Sequence, residues 1–298
     1  MAKEIKGIVP VLCTPFNEDG SLDEESLRRL IDYCIDEVGV HGISGPGSVG
    51  ECDQLSEGEL QRVIDIMVEE ARGRVPVVIG LTCPSISTTV LQSKYAQAAG
   101  ADAIFTRLAT TRGVTRQAIY TFYRALGEAI EIPILLYDLN PPLSVPTEMI
   151  VRLNEEFPHI CYVKEETSPA GRKITEVLAA CQGKVKVLSA QGACHLIDNL
   201  VRGVVGNMPG CHVLRSAIKI WEAWQRGDIQ AARKEHNRVA PLMLFRQLPG
   251  WGTVVVKEIL FRNGIFKTTL MREPTGPLLD ERDKQELTEI LETIGWVF

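Results

Sequence analysis

The chain alternates short, β-branched apolar runs with longer stretches whose apolar residues recur at helical spacing, and this alternation repeats along most of its length. Eight runs read as strands, at residues 7–16, 41–45, 75–82, 102–107, 133–139, 161–166, 185–191 and 203–208. The punctuation between them is helical. Ser21…Glu24 and Ser56…Glu59 have the spacing of capping boxes, and Ser168-Pro169 reads as an N-cap followed by proline. Gly39, Gly73, Gly100 and Gly183 stand where a glycine ends a helix.

Strict strand–helix alternation implies parallel strands joined by right-handed crossovers, either in an open doubly wound sheet or in a closed barrel. Eight units within roughly 220 residues favour the barrel. The predicted fold is therefore α/β, a (β/α)8 TIM barrel over residues 1–225 with a C-terminal helical extension over 226–298. An open sheet binding a dinucleotide would want G-x-G-x-x-G after its first strand, where Thr14-Pro15-Phe16-Asn17 stands instead.

A barrel places its chemistry at the carboxyl ends of its strands, so scattered residues can be read as one site. Lys164 follows the apolar run Ile160-Cys161-Tyr162-Val163, which puts an amine at the end of a buried strand. Burial disfavours the ammonium, and a lysine there can lose its proton near neutral pH and attack a ketone. The competing reading is a lysine that snorkels outward and pairs with Glu165 or Glu166. The loop Gly45-Pro46-Gly47-Ser48-Val49-Gly50-Glu51 can turn backbone N–H groups toward a carboxylate, or can be an ordinary tight turn. Tyr137 ends strand 5 as either a proton-moving phenol or a core aromatic.

Composition narrows the function classes. The 298 residues are 45% hydrophobic and 23% charged, which describes a globular chain with ample core. Its net charge of −6, with basic residues scattered, offers no footprint for nucleic acid or an anionic membrane. The eight cysteines contain no C-x-x-C pair and read as reduced thiols. With no apolar N-terminal segment and no run near the ~18 apolar residues of a membrane span, the expected location is the cytoplasm. The five histidines lack any ligand spacing, so neither a metal nor a cofactor is expected. Glu51 is expected to order the loop that precedes it.

Gly47-Ser48-Val49-Gly50-Glu51, Leu136-Tyr137-Asp138, Val163-Lys164-Glu165 and Gly203-Val204-Val205, in this order and spacing, resemble the dihydrodipicolinate synthase / N-acetylneuraminate lyase family of Schiff-base class I aldolases. The likeness runs from Ile8-Val9-Pro10 to Pro277-Leu278. It implies a TIM barrel with a C-terminal helical domain, usually a homotetramer, whose lysine forms an imine with pyruvate or a related 2-oxo acid. By that resemblance Lys164 is the imine former, Tyr137 the proton shuttle and Ser48 the hydroxyl beside it. The amides of Ser48 and Val49 hold the substrate carboxylate, and Gly47, Thr14, Gln191, Val205 and Asn207 complete the substrate site.

Departures from the family pattern bear on the reaction. Lysine-pathway synthases carry a second tyrosine after strand 4, where this chain has Leu108-Ala109-Thr110-Thr111-Arg112. Their arginine after the strand-5 tyrosine is replaced by Pro141-Pro142-Leu143-Ser144, and the second hydroxyl of their strand-2 loop by Val49. Proline cannot imitate a guanidinium fork. The expectation is a Schiff-base lyase acting on a 2-oxo acid, by aldol cleavage or condensation or by dehydration of a 2-keto-3-deoxy sugar acid. Asp138, Asn140, Ser144, Gln191 and Asn207 are candidates for a hydroxylated tail, and Arg107 and Arg112 for a second anion. The alternatives are dihydrodipicolinate synthase itself and a non-catalytic 2-oxo-acid sensor.

Overall fold

The computed structural model describes residues 3–109 and 113–296, so Thr110, Thr111 and Arg112 of the expected strand-4 loop lie outside the described residues. Parallel strands β1 (Gly7–Ile8), β2 (Ile43–Gly45), β3 (Val77–Leu81), β4 (Ala103–Thr106), β5 (Ile134–Asp138), β6 (Ile160–Glu165), β7 (Lys186–Ser189) and β8 (Gly206–Asn207) run in the order β1-β8-β7-β6-β5-β4-β3-β2. The remaining seam closes through Val11, which bridges both Ser44 and Gly210, with Leu12 N–H donating to the Ser44 carbonyl at 2.8 Å. The predicted barrel is therefore present. β1 is much shorter than residues 7–16 because Pro10 and Pro15 carry no N–H for a ladder.

Helices α1 (Glu24–Asp32), α2 (Glu57–Ala71), α3 (Ile86–Ala99), α4 (Arg116–Ala129), α5 (Thr147–Glu156), α6 (Ala170–Cys181), α7 (Leu196–Val201) and α8 (Leu214–Gln225) follow the successive strands. Beyond them come α9 (Ile229–Arg246), α10 (Val254–Arg262) and α11 (Glu281–Thr293). Ser56 and Glu59 form the expected capping box of α2, and Gly39, Gly73, Gly100 and Gly183 all adopt positive φ. Two caps differ from expectation. Asp23, not Ser21, caps α1 by accepting from Ser26 N–H at 3.1 Å, since a carboxylate is as good an N-cap as a hydroxyl and stands next to the helix. Pro169 occupies the N-cap of α6 itself, one residue later than predicted. No helix among the described residues is long and apolar enough to cross a membrane.

Side-chain alternation divides the apolar residues into two bodies. Val9, Val78, Phe105, Leu135, Tyr137, Tyr162 and Leu188 fill the barrel interior, whereas Ile134, Leu136, Val163 and Val187 pack outward against the helices. The same period of two turns Tyr137 and Lys164 inward and their neighbours Asp138 and Glu165 outward. Register pairs them strand to strand, Tyr137 with Lys164 and Asp138 with Glu165. Gly80 makes room for the interior: a Cβ there would lie 2.4 Å from the Phe105 ring.

Two sets of buried charges tie this scaffold together. Lys257 on α10 is 0% exposed and forms an ion pair with Glu51, itself only 4% exposed, on the loop after β2. The Lys257 ammonium also donates to the Leu270 carbonyl at 2.6 Å, and Glu51 accepts from Arg272 N–H at 2.9 Å. Glu51 thus orders its loop against the chain beyond the barrel. On the outer side of β5 and β6, Asp138 accepts from Val145 N–H at 2.7 Å and lies 3.7 Å from Lys173. Burial, and then the charge of Asp138, push Glu165 up to about 8.

Lys257→Met leaves Glu51 buried without its cation, and such losses cost about 3–5 kcal/mol. Urea unfolding should register a loss of that size, largely recovered when Glu51→Leu is added. Glu165 makes a second prediction. Folded, it keeps its proton up to about pH 8, whereas the unfolded side chain releases it near 4.5, so its contribution to stability declines as pH rises across that window. Glu165→Gln should flatten that decline, read as the difference in urea midpoint between variant and parent on either side of the window.

Candidate active site

The carboxyl ends of the strands surround a cavity of about 290 Å³ lined by Val11, Ser48, Val49, Tyr137, Lys164, Glu166, Gln191, Gly192, Met208, Gly210, Arg246 and Gln247. Lys164 is 3% exposed. Its ammonium nitrogen lies 3.8 Å from the centroid of the Tyr137 ring, 4.7 Å from that of Phe105 and 3.5 Å from a Glu166 oxygen. Ring faces and a carboxylate stabilise an ammonium, but burial outweighs them and the Lys164 pKa falls below its ordinary value. The outward, snorkelling lysine is therefore not what this sequence builds. Its pairing with Glu166 does exist, inside the barrel.

Glu166 follows β6, held there by its N–H donating to the Asp138 carbonyl at 2.9 Å. Although burial works to raise its pKa, Lys164, the Tyr137 hydroxyl and the Gln191 N–H together hold the carboxyl below the usual value. Tyr137 is displaced the other way. Burial, and then the adjacent Glu166 carboxylate, raise its phenol well above the ordinary tyrosine range. Its O–H donates to Glu166, so the single phenolic proton is committed to a carboxylate and not to Ser48. Tyr123 on α4 fixes the strand that carries it, accepting from Tyr137 N–H at 3.1 Å while donating to the Thr106 carbonyl at 2.8 Å.

On the loop after β2, Gly50 N–H bonds to the Gly47 carbonyl at 2.9 Å and Glu51 N–H to that of Ser48 at 3.2 Å. The N–H groups of Ser48 and Val49 have no acceptor among the described residues. Gly47 sits against Phe105, where a Cβ would come within 3.0 Å of the ring. Ser48 is exposed at the cavity lip.

Of the sequence-derived candidates, Lys164, Tyr137, Ser48, Val49 and Gln191 line one cavity. Thr14 instead donates its hydroxyl to the Gly50 carbonyl at 2.6 Å and braces the loop from behind. Asn207 donates to Ser189 at 2.9 Å and to the Ala190 carbonyl at 3.2 Å, tying β8 to β7, and Val205 packs in the barrel interior. Asp138 faces outward, and Asn140 accepts from Ser168 N–H at 2.8 Å. Arg107 donates to the Leu108 carbonyl at 3.0 Å and does not line the cavity, and Arg112 lies outside the described residues.

Three polar side chains lining the cavity were not anticipated as site residues. Glu166 was legible in principle, since a period of two places residues 164 and 166 on one face and 165 on the other. Arg246 and Gln247 had no local signal. They arrive from the end of α9, 39 residues beyond Asn207, the last strand-end candidate, through tertiary packing alone.

A sequence profile of the dihydrodipicolinate synthetase family matches residues 4–294. The 4-hydroxy-tetrahydrodipicolinate synthase of Pelobacter propionicus is 32% identical over 305 residues, covering 98% of this chain and 99% of that protein. The enzyme of the same name from Methanopyrus kandleri is 31% identical over 246 residues, 81% of each chain. Among solved structures, the dihydrodipicolinate synthase of Rhodopseudomonas palustris superposes with a TM-score of 0.89 at 25% identity, covering 97% of both chains. A prophage protein of E. coli K12 from the same family, solved in complex with pyruvate, gives a TM-score of 0.90 at 26% identity over 99% of this chain and 100% of that one. With a buried lysine facing a phenol at the mouth of a parallel barrel, and a family match over nearly its whole length, the chain belongs to the dihydrodipicolinate synthetase family of imine-forming, aldolase-type lyases.

Proposed function

We propose that the chain is a lyase that joins its 2-oxo-acid substrate, pyruvate or a relative, to Lys164 as an imine. The observation that carries this reading is the depressed amine of Lys164, set over the ring of Tyr137 at 3.8 Å and beside Glu166 at 3.5 Å. The free amine adds to the C2 carbonyl, the carbinolamine oxygen takes a proton and leaves as water, and a protonated imine remains. That iminium accepts the electron pair released when a proton or a carbon fragment departs from C3. The Ser48 and Val49 amides receive the substrate carboxylate, and Ser48 stands beside it at the cavity lip. Glu166 takes the place of a second phenol: it takes the proton that Lys164 sheds, 3.5 Å away, as the free amine forms, and Tyr137, bonded to the same carboxylate, relays it to the carbinolamine oxygen as water leaves. A sensor would need the carboxylate loop but not a buried reactive amine, which argues for catalysis. We place the enzyme in the cytoplasm as a homo-oligomer, the tetramer of the family pattern.

Within this class the relatives' names support condensation by a 4-hydroxy-tetrahydrodipicolinate synthase better than the broader 2-oxo-acid lyase, aldolase or sugar-acid dehydratase, that the sequence put first. The sugar-acid reading retains one observation of its own. A carboxylate bonded to Tyr137, where the synthases use hydroxyls, is suited to taking the proton released from C3 and passing it to a departing hydroxyl, as dehydration of a 2-keto-3-deoxy sugar acid requires. Coupled reduction of the product from pyruvate and aspartate semialdehyde tests the first reading. Water loss from a panel of 2-keto-3-deoxy sugar acids, without that condensation, would establish the second.

Borohydride added with pyruvate should leave one reduced adduct on Lys164, located by peptide mapping, and Lys164→Ala should abolish it. An adduct on another lysine would overturn the mechanism. Tyr137→Phe should retain the adduct but slow turnover by roughly 10²–10⁴, the range for removing a positioned acid–base group. Turnover equal to that of the parent would make the phenol a packing residue.

A further inference from the structure

Arg246 ends α9 inside the cavity that holds Lys164. Three guanidinium groups of similar burial on the helices and chain beyond the barrel are paired with carboxylates: Arg238 with Glu235, Arg262 with Glu258 and Arg272 with Glu59. Arg246 is not. Its Nε donates to the Gly252 carbonyl at 3.1 Å, and among the described residues no carboxylate lies within the 4.0 Å of an ion pair. A guanidinium has five N–H donors, so most of this fork has no acceptor among the described residues, and the side chain lines the cavity. The neighbouring backbone is shaped around it. Gly192 adopts φ +60°, and a Cβ there would stand 3.1 Å from an Arg246 terminal nitrogen. Gln247 braces the same turn by donating to the Gln191 carbonyl at 2.7 Å.

The contacts say what the fork is for. Lys164 as an iminium pairs with the Glu166 carboxylate, and the first substrate carboxylate bonds to the neutral amides of Ser48 and Val49, so its charge balances that of Arg246 only at a distance. Arg246 is left without a carboxylate in direct contact. An unpaired, partly desolvated guanidinium is costly unless a ligand supplies its counter-ion, and its planar donors match a carboxylate in two-point contact. We propose that Arg246 is the specificity-determining residue of the site, binding a second carboxylate at the end of the substrate remote from the carbon joined to Lys164. The substrate class is thereby a 2-oxo acid, or its condensation product, that ends in a carboxylate. This assignment rests on the imine reading and adds to it the chemistry of the far end.

The test compares 2-oxoadipate with 2-oxohexanoate, chains of equal length with and without the terminal carboxylate, by the concentration that half-saturates borohydride trapping at Lys164. The parent protein should be half-saturated by the diacid at a concentration roughly tenfold or more below that for the monoacid, as a lost two-point ionic contact costs at least that factor. Arg246→Ala should bring the ratio to near one, and Arg246→Lys should keep only part of it, because an ammonium retains the charge without the fork. Pyruvate, which has no far end, reports whether the site survives in each variant. Should Arg246→Ala trap no pyruvate, the ratio is read in Arg246→Lys. A parent protein that traps pyruvate but does not distinguish the two chain ends overturns the Arg246 assignment alone, as does a preference that survives Arg246→Ala. Failure of the parent to trap pyruvate at all overturns the imine reading instead.

Discussion

A lysine can be kept at the centre of a barrel only if its charge is shared, and the contact between Lys164 and Glu166 is where this fold meets that constraint. The carboxylate is close enough to hold the ammonium when it forms, yet burial still leaves the amine easier to deprotonate than in water. Tyr137 completes the arrangement by donating a hydrogen bond to the same carboxylate while lending its ring face to the lysine. Three side chains therefore set each other's protonation. Around them the barrel is arranged to keep that triangle rigid: Phe105 fills the floor, Gly80 admits Phe105, and Tyr123 pins the backbone of Tyr137 from outside.

Much of this was legible in the sequence because it follows from periodicity. The strand–helix repeat led to the barrel, and the end of each apolar run identified Lys164, Tyr137 and the loop around Ser48. The period of two also separates Lys164 from Glu165, one turned to the cavity and the other to a buried pair with Asp138. Periodicity could not say what a strand-end polar group bonds to. Thr14, Asn207 and Asp138 stand at the expected heights but spend their hydrogen bonds on neighbouring backbone and side chains. Arg246 was invisible for the complementary reason. It sits on a helix after the barrel, and only the packing of α9 across the mouth brings it to the cavity.

The departures from the family pattern acquire a physical sense in this geometry. Loss of the second tyrosine and of the strand-5 arginine looks, in sequence, like a site stripped of its proton relay and its anion grip. In three dimensions a carboxylate stands on the phenol and a guanidinium faces the cavity, both delivered from different elements. Chemically similar roles can be supplied from new positions when a closed barrel presents many strand ends to one small volume.

The bond between Glu51 and Lys257 has a consequence for how divisible this protein is. The loop with the free Ser48 and Val49 amides is anchored to α10 by a buried charge pair, and Arg246 belongs to the helix before it. The eight-fold barrel looks like a self-sufficient module on a diagram of its topology. Cut away from the helices that follow, it would keep its lysine but leave the Glu51 carboxylate stranded under the loop after β2 and one wall of the cavity missing. Transplanting the barrel alone onto another C-terminal partner would therefore carry over the buried amine without the loop anchor and the guanidinium that complete its cavity.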